Sequence, residues 1–318
     1  MVAYGYKLSS EEHGPLDLVQ YARRAEEAGF SFAAISDHFH PWTDKQGHSP
    51  FVWGVLGGIA VATEKLELIT GVTCPTIRTH PAIVAQAAAT AAVMLPGRFA
   101  LGLGTGEHLN EHILGDKWPR AGTRRAMLEE AIDVMRELWQ GENTNLSGRY
   151  YTVENARIYD VPDDGVPVLV AASGDKAVEL AGKKADGLIS LVPDKKTLEK
   201  FDKAGGDGKP RYAEVQVCWA ESDDKALKTA VECWPNMAAP GELSQELPLP
   251  RHFEQIGKSV SEDDVKDKLA FGPDPKRHLD MIQKYVEAGY THIWLHQIGP
   301  DQEGFFHFYA TEILPTLG

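Results

Sequence analysis

Apolar residues along this chain fall into short alternating blocks with two different periods. Val2–Lys7 is a compact apolar run with strand character. Pro15–Gly29 then places Leu16, Leu18, Val19, Ala22, Ala25 and Ala28 at helical spacing and stops at a glycine. The alternation continues. Strands are predicted at Phe32–Ile35, Leu66–Val72, Phe99–Leu103, Val166–Ala172, Asp186–Leu191, Val215–Ala220 and His292–His296. Helices are predicted at Phe51–Ala62, Pro81–Met94, Thr123–Trp139, Asp175–Lys184, Lys276–Ala288 and about Gly304–Leu314.

Strands separated by helices imply a parallel sheet, and eight such units in one chain predict a (β/α)8 barrel. A doubly wound sheet is the alternative; it requires a reversal of strand order. Residues 1–318 therefore read as one TIM-barrel domain with two insertions. One, at about 141–165, has the pattern of an extended hairpin. The other, at about 232–272, is helical and punctuated by proline.

In a parallel barrel the chemistry gathers where strands run into helices. The residues at those ends are Ser36-Asp37-His38, Gly71-Val72-Thr73, Gly104-Thr105-Gly106-Glu107, Ala172-Ser173-Gly174, Ser190-Leu191 and His296. The stretch SDHFHPW, residues 36–42, admits a metal site, a proton-transfer site or a plain polar loop. No further ligands accompany His38 and His40, so no metal site is expected. An imidazole that titrates near neutrality favours proton transfer. Asp37 is placed to orient a ring or a ligand, and Trp42 to stack on one. The alternate glycines of GLGTGEHLNE lack the spacing of a dinucleotide fingerprint but let backbone approach a ligand. Small residues before the 175–184 helix leave a helix N-terminus suited to an anion; a tight turn explains them equally well. Arg78 and His80 leave the third strand and are candidates to face a ligand. Cys74 reads on its own as a small buried filler.

Charge and composition narrow the field. The net charge of −14, with only scattered basic pairs, excludes a duplex-binding stripe. Three widely spaced cysteines make no disulfide framework. With no apolar spanning run and no leader pattern, the expectation is a cytoplasmic protein with no membrane and no nucleic-acid partner. The Walker A, G-x-S-x-G and H-E-x-x-H motifs are all missing.

Four segments together, DHFHPW, TCPTIRTHPAIVAQ, GRFALGLGTGEHLNE and IYDVPDDGVPVLVAASG, resemble one family. It is the luciferase-like flavin and deazaflavin superfamily, in its branch of coenzyme F420-dependent dehydrogenases related to glucose-6-phosphate dehydrogenase. The resemblance runs from Gly5 to Leu314 and is weakest at 232–272. It implies a luciferase-like TIM barrel with a deazaflavin ring deep in its mouth; FMN is the alternative cofactor. Asp37 would contact the ring, and the backbone of Gly71 and Val72, joined in some members by a cis peptide, would support its face. Asn110 would also touch the cofactor, and Cys74 and Gly106 count among the cofactor-side positions. Ala171, Ala172, Ser173 and Gly174 would form the loop around its phosphate.

The resemblance assigns catalysis to His38, Trp42 and Glu107. It implies that His38 takes the proton of an alcohol while hydride passes to C5 of the deazaflavin, with Glu107 as acid or stabiliser and Trp42 steadying the ring. Sugar-phosphate members hold the substrate phosphate with two lysines and an arginine. The matching positions here are Asp194, Ser244 and Lys268, with Lys195 adjacent to the first, so a neutral alcohol, such as a secondary alcohol or a sugar, or an alternative sugar phosphate is expected over glucose 6-phosphate. Three rival readings stay open: a reductase of a carbonyl or alkene, an FMN-dependent monooxygenase, and a silent cofactor-binding barrel. The apolar helices Phe51–Ala62 and Pro81–Met94 suggest a homodimer.

Overall fold

The computed structural model describes residues 2–239 and 241–317. Among them are eleven strands: β1 (Ala3–Leu8), β2 (Phe32–Ile35), β3 (Glu67–Thr70), β4 (Phe99–Leu103), β5 (Thr144–Ser147), β6 (Thr152–Ala156), β7 (Val168–Ala171), β8 (Gly187–Ser190), β9 (Arg211–Cys218), β10 (Ala270–Phe271) and β11 (His292–Gln297). Eight of them form one parallel ring in the order β1, β2, β3, β4, β7, β8, β9, β11. β11 pairs back onto β1, and β8 pairs with β9, so the sheet closes on itself. This is the expected (β/α)8 barrel.

Closure explains the continuous apolar runs, since each strand is buried on both faces. Outward residues such as Ala33, Ile35, Leu68 and Leu101 join the packed layer under the helices. Inward residues Phe32, Ala34, Ile69, Leu169, Ile189, Tyr212 and Trp294 form a separate cluster that fills the lower half of the barrel. Two positions further along the same strands the interior turns polar. Tyr212 gives way to Glu214 and Gln216, and Trp294 to His296; on β1 the inward residue is Lys7. The period of two thus places aromatic bulk below and titratable groups above, at the C-terminal rim.

Residues 141–165 hold the antiparallel pair β5–β6, outside the barrel sheet. The 232–272 segment is built of short helices, including Leu243–Glu246 and Pro250–Gly257, and ends in β10, an unexpected two-residue strand added to β9. Predicted boundaries shift by a few residues. The 123–139 helix is Ala121–Leu138, and the 215–220 strand begins four residues earlier, at Arg211. There, charged and inward-pointing residues conceal strand character. Among the described residues, no helix is long and apolar enough to cross a membrane.

Candidate active site

A cavity of about 700 Å³ opens at the C-terminal rim. Its walls include the loops that leave the strands, strand residues such as Lys7, Ile189, Glu214, Gln216 and Trp294, and Met281, Lys284 and Tyr285 of the Pro275–Ala288 helix. Side chains from Trp234 to Lys268 cover it from the 232–272 segment.

His38 and Glu107 meet in this cavity. His38 Nε2 lies 3.4 Å from Glu107 Oε2 and 3.4 Å from Glu11 Oε1. Its other ring nitrogen, Nδ1, is 3.1 Å from the carbonyl of His40, which the loop supplies two residues on. The Trp42 ring packs 5.1 Å from the imidazole. Asn110 joins the pieces. Its Oδ1 accepts from the backbone N–H groups of Phe39 and His40, and its Nδ2 donates to Glu107 Oε2 at 3.0 Å.

The two carboxylates beside His38 differ in environment. Burial alone would raise Glu11, but the charges of His38 and Lys7 and the hydroxyl donor of Ser36 at 2.6 Å outweigh it and hold Glu11 below its ordinary value. Burial dominates at Glu107 and raises it, only partly offset by His38 and Asn110. Pairs of carboxylates pushed apart in this way characterise proton-transfer sites.

Asp37 is buried and fully engaged. Thr73 Oγ1 donates to one oxygen at 2.8 Å, and Arg78 Nη2 lies 2.9 Å from the other. Arg78 also donates its backbone N–H to Glu111, whose carboxyl burial pushes up to about 7 against the pull of Arg78. The peptide bond between Gly71 and Val72 is cis, and both residues line the cavity. Lys7 Nζ donates to the Gly71 carbonyl at 2.9 Å and sits 3.7 Å from Glu214.

Several expectations need correction. Arg78 braces Asp37 and Glu111 and is not among the lining residues. His80 caps the Pro81–Met94 helix by accepting from Ala82 N–H, and its ring packs against Tyr151. Lys195 begins the Lys195–Phe201 helix, is exposed, and does not line the cavity; Lys268 does. Ala171, Ala172 and Ser173 line it, whereas Gly174 is the uncapped N-terminus of the Asp175–Lys184 helix, just outside. Cys74 lines the cavity, and burial pushes its thiol well above the ordinary value, as suits an inert residue. Gly106, at φ +89°, takes a backbone conformation that favours glycine.

Sequence reasoning missed Glu11, Lys7, Glu214 and Trp234. A lysine in an apolar strand was a usable signal, because burying an ammonium demands a partner. Glu11, inside SSEE, resembles an ordinary helix start and carries no signal.

The site is thus an imidazole and two carboxylates converging in the mouth of a closed parallel barrel. The chain belongs to the luciferase-like monooxygenase family, whose pattern matches residues 4–292. It is 38% identical over 326 residues to the F420-dependent glucose-6-phosphate dehydrogenase of Microbacterium testaceum, covering 99% of this chain and 97% of the relative. It is 36% identical to the protein of the same name from Nakamurella multipartita, covering 99% and 96%. Among solved structures, an F420-dependent secondary alcohol dehydrogenase in complex with an F420–acetone adduct superposes with a TM-score of 0.93 at 29% identity, covering 100% of this chain and 99% of that one. The F420-dependent tetrahydromethanopterin reductase of Methanopyrus kandleri shares the fold, with a TM-score of 0.81 at 22% identity.

Proposed function

We propose that this protein is a coenzyme F420-dependent dehydrogenase that oxidises a neutral alcohol. The observation that carries the reading is His38, held between Glu11 and Glu107 at the cavity wall with Trp42 against its ring. The relatives named F420-dependent dehydrogenases support the cofactor. So do features of this chain. The cavity is large enough for a tricyclic ring, and the exposed Ser173 leads into a ten-residue helix whose first turn has no side-chain cap, a fitting seat for a phosphate. Gly71, Val72, Cys74, Gly106 and Asn110 would flank the ring.

When bound, a deazaflavin supplies a hydride acceptor at C5 that reacts poorly with dioxygen. The chain's own residues supply the proton chemistry. His38 accepts the hydroxyl proton, and ionised Glu11 stabilises the imidazolium that results. Glu107 sits on the other side of the same nitrogen, where it stabilises charge or returns a proton in the reverse direction.

Charge supports a neutral substrate. Six carboxylates line the cavity against three lysines, and of these Lys7 is already bound to Gly71 and Glu214. A phosphate dianion would need more cationic donors than Lys268 and Lys284 supply. The exposed apolar residues Phe51, Val61, Ile83 and Val93 support a homodimer, and the acidic chain is read as cytoplasmic.

Titration with coenzyme F420 and with FMN, followed by loss of deazaflavin absorbance on adding alcohols, tests the reading. Tight F420 binding and turnover of a neutral secondary alcohol are expected. Saturable oxidation of glucose 6-phosphate at low concentration would overturn the substrate assignment. FMN binding with oxygen uptake would overturn the class.

A further inference from the structure

The active-site loop 36–46 and the 232–272 segment lie far apart in sequence, yet together they enclose the substrate side of the cavity. One buried amide joins them. Gln46 is 7% exposed and does not itself line the cavity. Its Oε1 accepts from Trp42 N–H at 2.9 Å and from Thr43 N–H at 3.3 Å. Its Nε2 donates to the Cys233 carbonyl at 3.0 Å and to Asn236 Oδ1 at 3.4 Å. All four hydrogen-bonding positions of the amide are thus used, and exchanging its oxygen and nitrogen would set donors against donors. Trp42 and Asn236 both line the cavity. Other links across this seam include the packing of Trp42 against the apolar cluster around Trp234, its ring contact with Phe253, and two exposed polar pairs, Lys45–Glu232 and Asp44–Glu254.

We propose that Gln46 is a positioning residue that sets the distance between the His38–Trp42 loop and the substrate-covering wall. It thereby controls how well the alcohol is held against His38. No apolar or charged side chain of similar size reproduces its pattern of two acceptances and two donations. The kinetic part of this inference rests on the alcohol dehydrogenase reading. The structural part, that Gln46 ties the two segments, does not.

The test compares wild type with Gln46→Leu and Gln46→Glu. Displacing catalytic groups by about 1 Å costs on the order of a hundredfold. The expected result is a KM for the alcohol raised by about tenfold or more with a lower kcat, while the Kd for coenzyme F420, read by fluorescence, stays within about twofold of wild type. Hydrogen exchange should show faster exchange at the Trp42 and Thr43 amides and in residues 233–237 of the same variants. A purely structural residue would lower the folded fraction and leave KM unchanged. An unaltered KM overturns the kinetic part even where the folded fraction falls, and unaltered exchange at Trp42 and Thr43 overturns the tie between the two segments. Should Gln46→Leu fail to fold, Gln46→Glu, which keeps size and polarity, carries the same comparison. If wild type oxidises no alcohol with F420, the functional reading fails, and the exchange data alone then decide whether Gln46 ties the segments.

Discussion

His296 offers a prediction whose size follows from the structure. It is fully buried, with Nε2 3.0 Å from Glu12 and Nδ1 3.5 Å from Glu214, and the Trp234 ring edge-on at 4.4 Å. Burial alone would lower its proton affinity. The hydrogen bonds and charges of Glu12 and Glu214 outweigh that and raise the pKa from 6.5 to about 9. Glu214, under the reciprocal influence of Lys7 and His296, is held far below its ordinary value in spite of its burial. Between pH 6.5 and 9 the unfolded chain has lost the His296 proton and the native chain keeps it. The extra stability is therefore complete below pH 6.5 and falls as pH rises, by about 1.4 kcal/mol per pH unit and about 3 kcal/mol over the window. The cleanest interval is pH 7.5–8.5. Below it Glu111, at about 7, still titrates, and above it thiols that burial pushes up, such as Cys233 at about 11, add a loss of their own. Urea unfolding followed by tryptophan fluorescence, with matching refolding curves, measures the slope. His296→Gln should be less stable than wild type, most near pH 6.5, because Glu12 loses its imidazole partner while Glu214 keeps Lys7, and the gap should narrow by about 1.4 kcal/mol per pH unit as pH rises, since the variant lacks the 7.5–8.5 slope. Parallel slopes in wild type and variant would show that His296 is not protonated in the native protein and would refute the reasoning.

Three further outcomes are expected. His38→Ala should lower kcat by about 10²–10⁴-fold while F420 affinity, measured by fluorescence, changes little; near-wild-type turnover with cofactor bound removes His38 as the base. Asn110→Leu should lower kcat by about tenfold or more, since it frees Glu107 and leaves the part-buried N–H groups of Phe39 and His40 without their acceptor; steady-state kinetics at saturating cofactor checks this. Gly102→Ala should prevent folding or lower the melting temperature steeply, because a Cβ there would overlap the Thr70 carbonyl across β3 and β4; an unchanged thermal transition would show that the two strands can part.

The local pattern carried the barrel. Apolar strands buried on both faces, helices at a period near 3.6 and glycine or proline at their ends are properties of neighbouring residues, so eight units could be counted before any contact was known. The rim positions of His38 and Glu107 followed from the same count, because a strand's end can be located by its pattern and the barrel puts every such end at one mouth; their catalytic roles, and that of Trp42, came from the family resemblance. Periodicity cannot say which rim side chains turn inward or what they meet there. Arg78 and His80 sit beside a strand end, yet one braces Asp37 and Glu111 and the other caps a helix. Lys195 looked like a substrate cation but is exposed at a helix start. Glu11 became visible only when folding brought β1 beside β2 and set its carboxylate against His38. Lys7, Glu214 and His296 stand far apart along the chain, and their shared charge exists only because closure makes β1, β9 and β11 neighbours. Propensity is written in local sequence, whereas desolvation and charge pairing depend on long-range packing that only the closed barrel supplies.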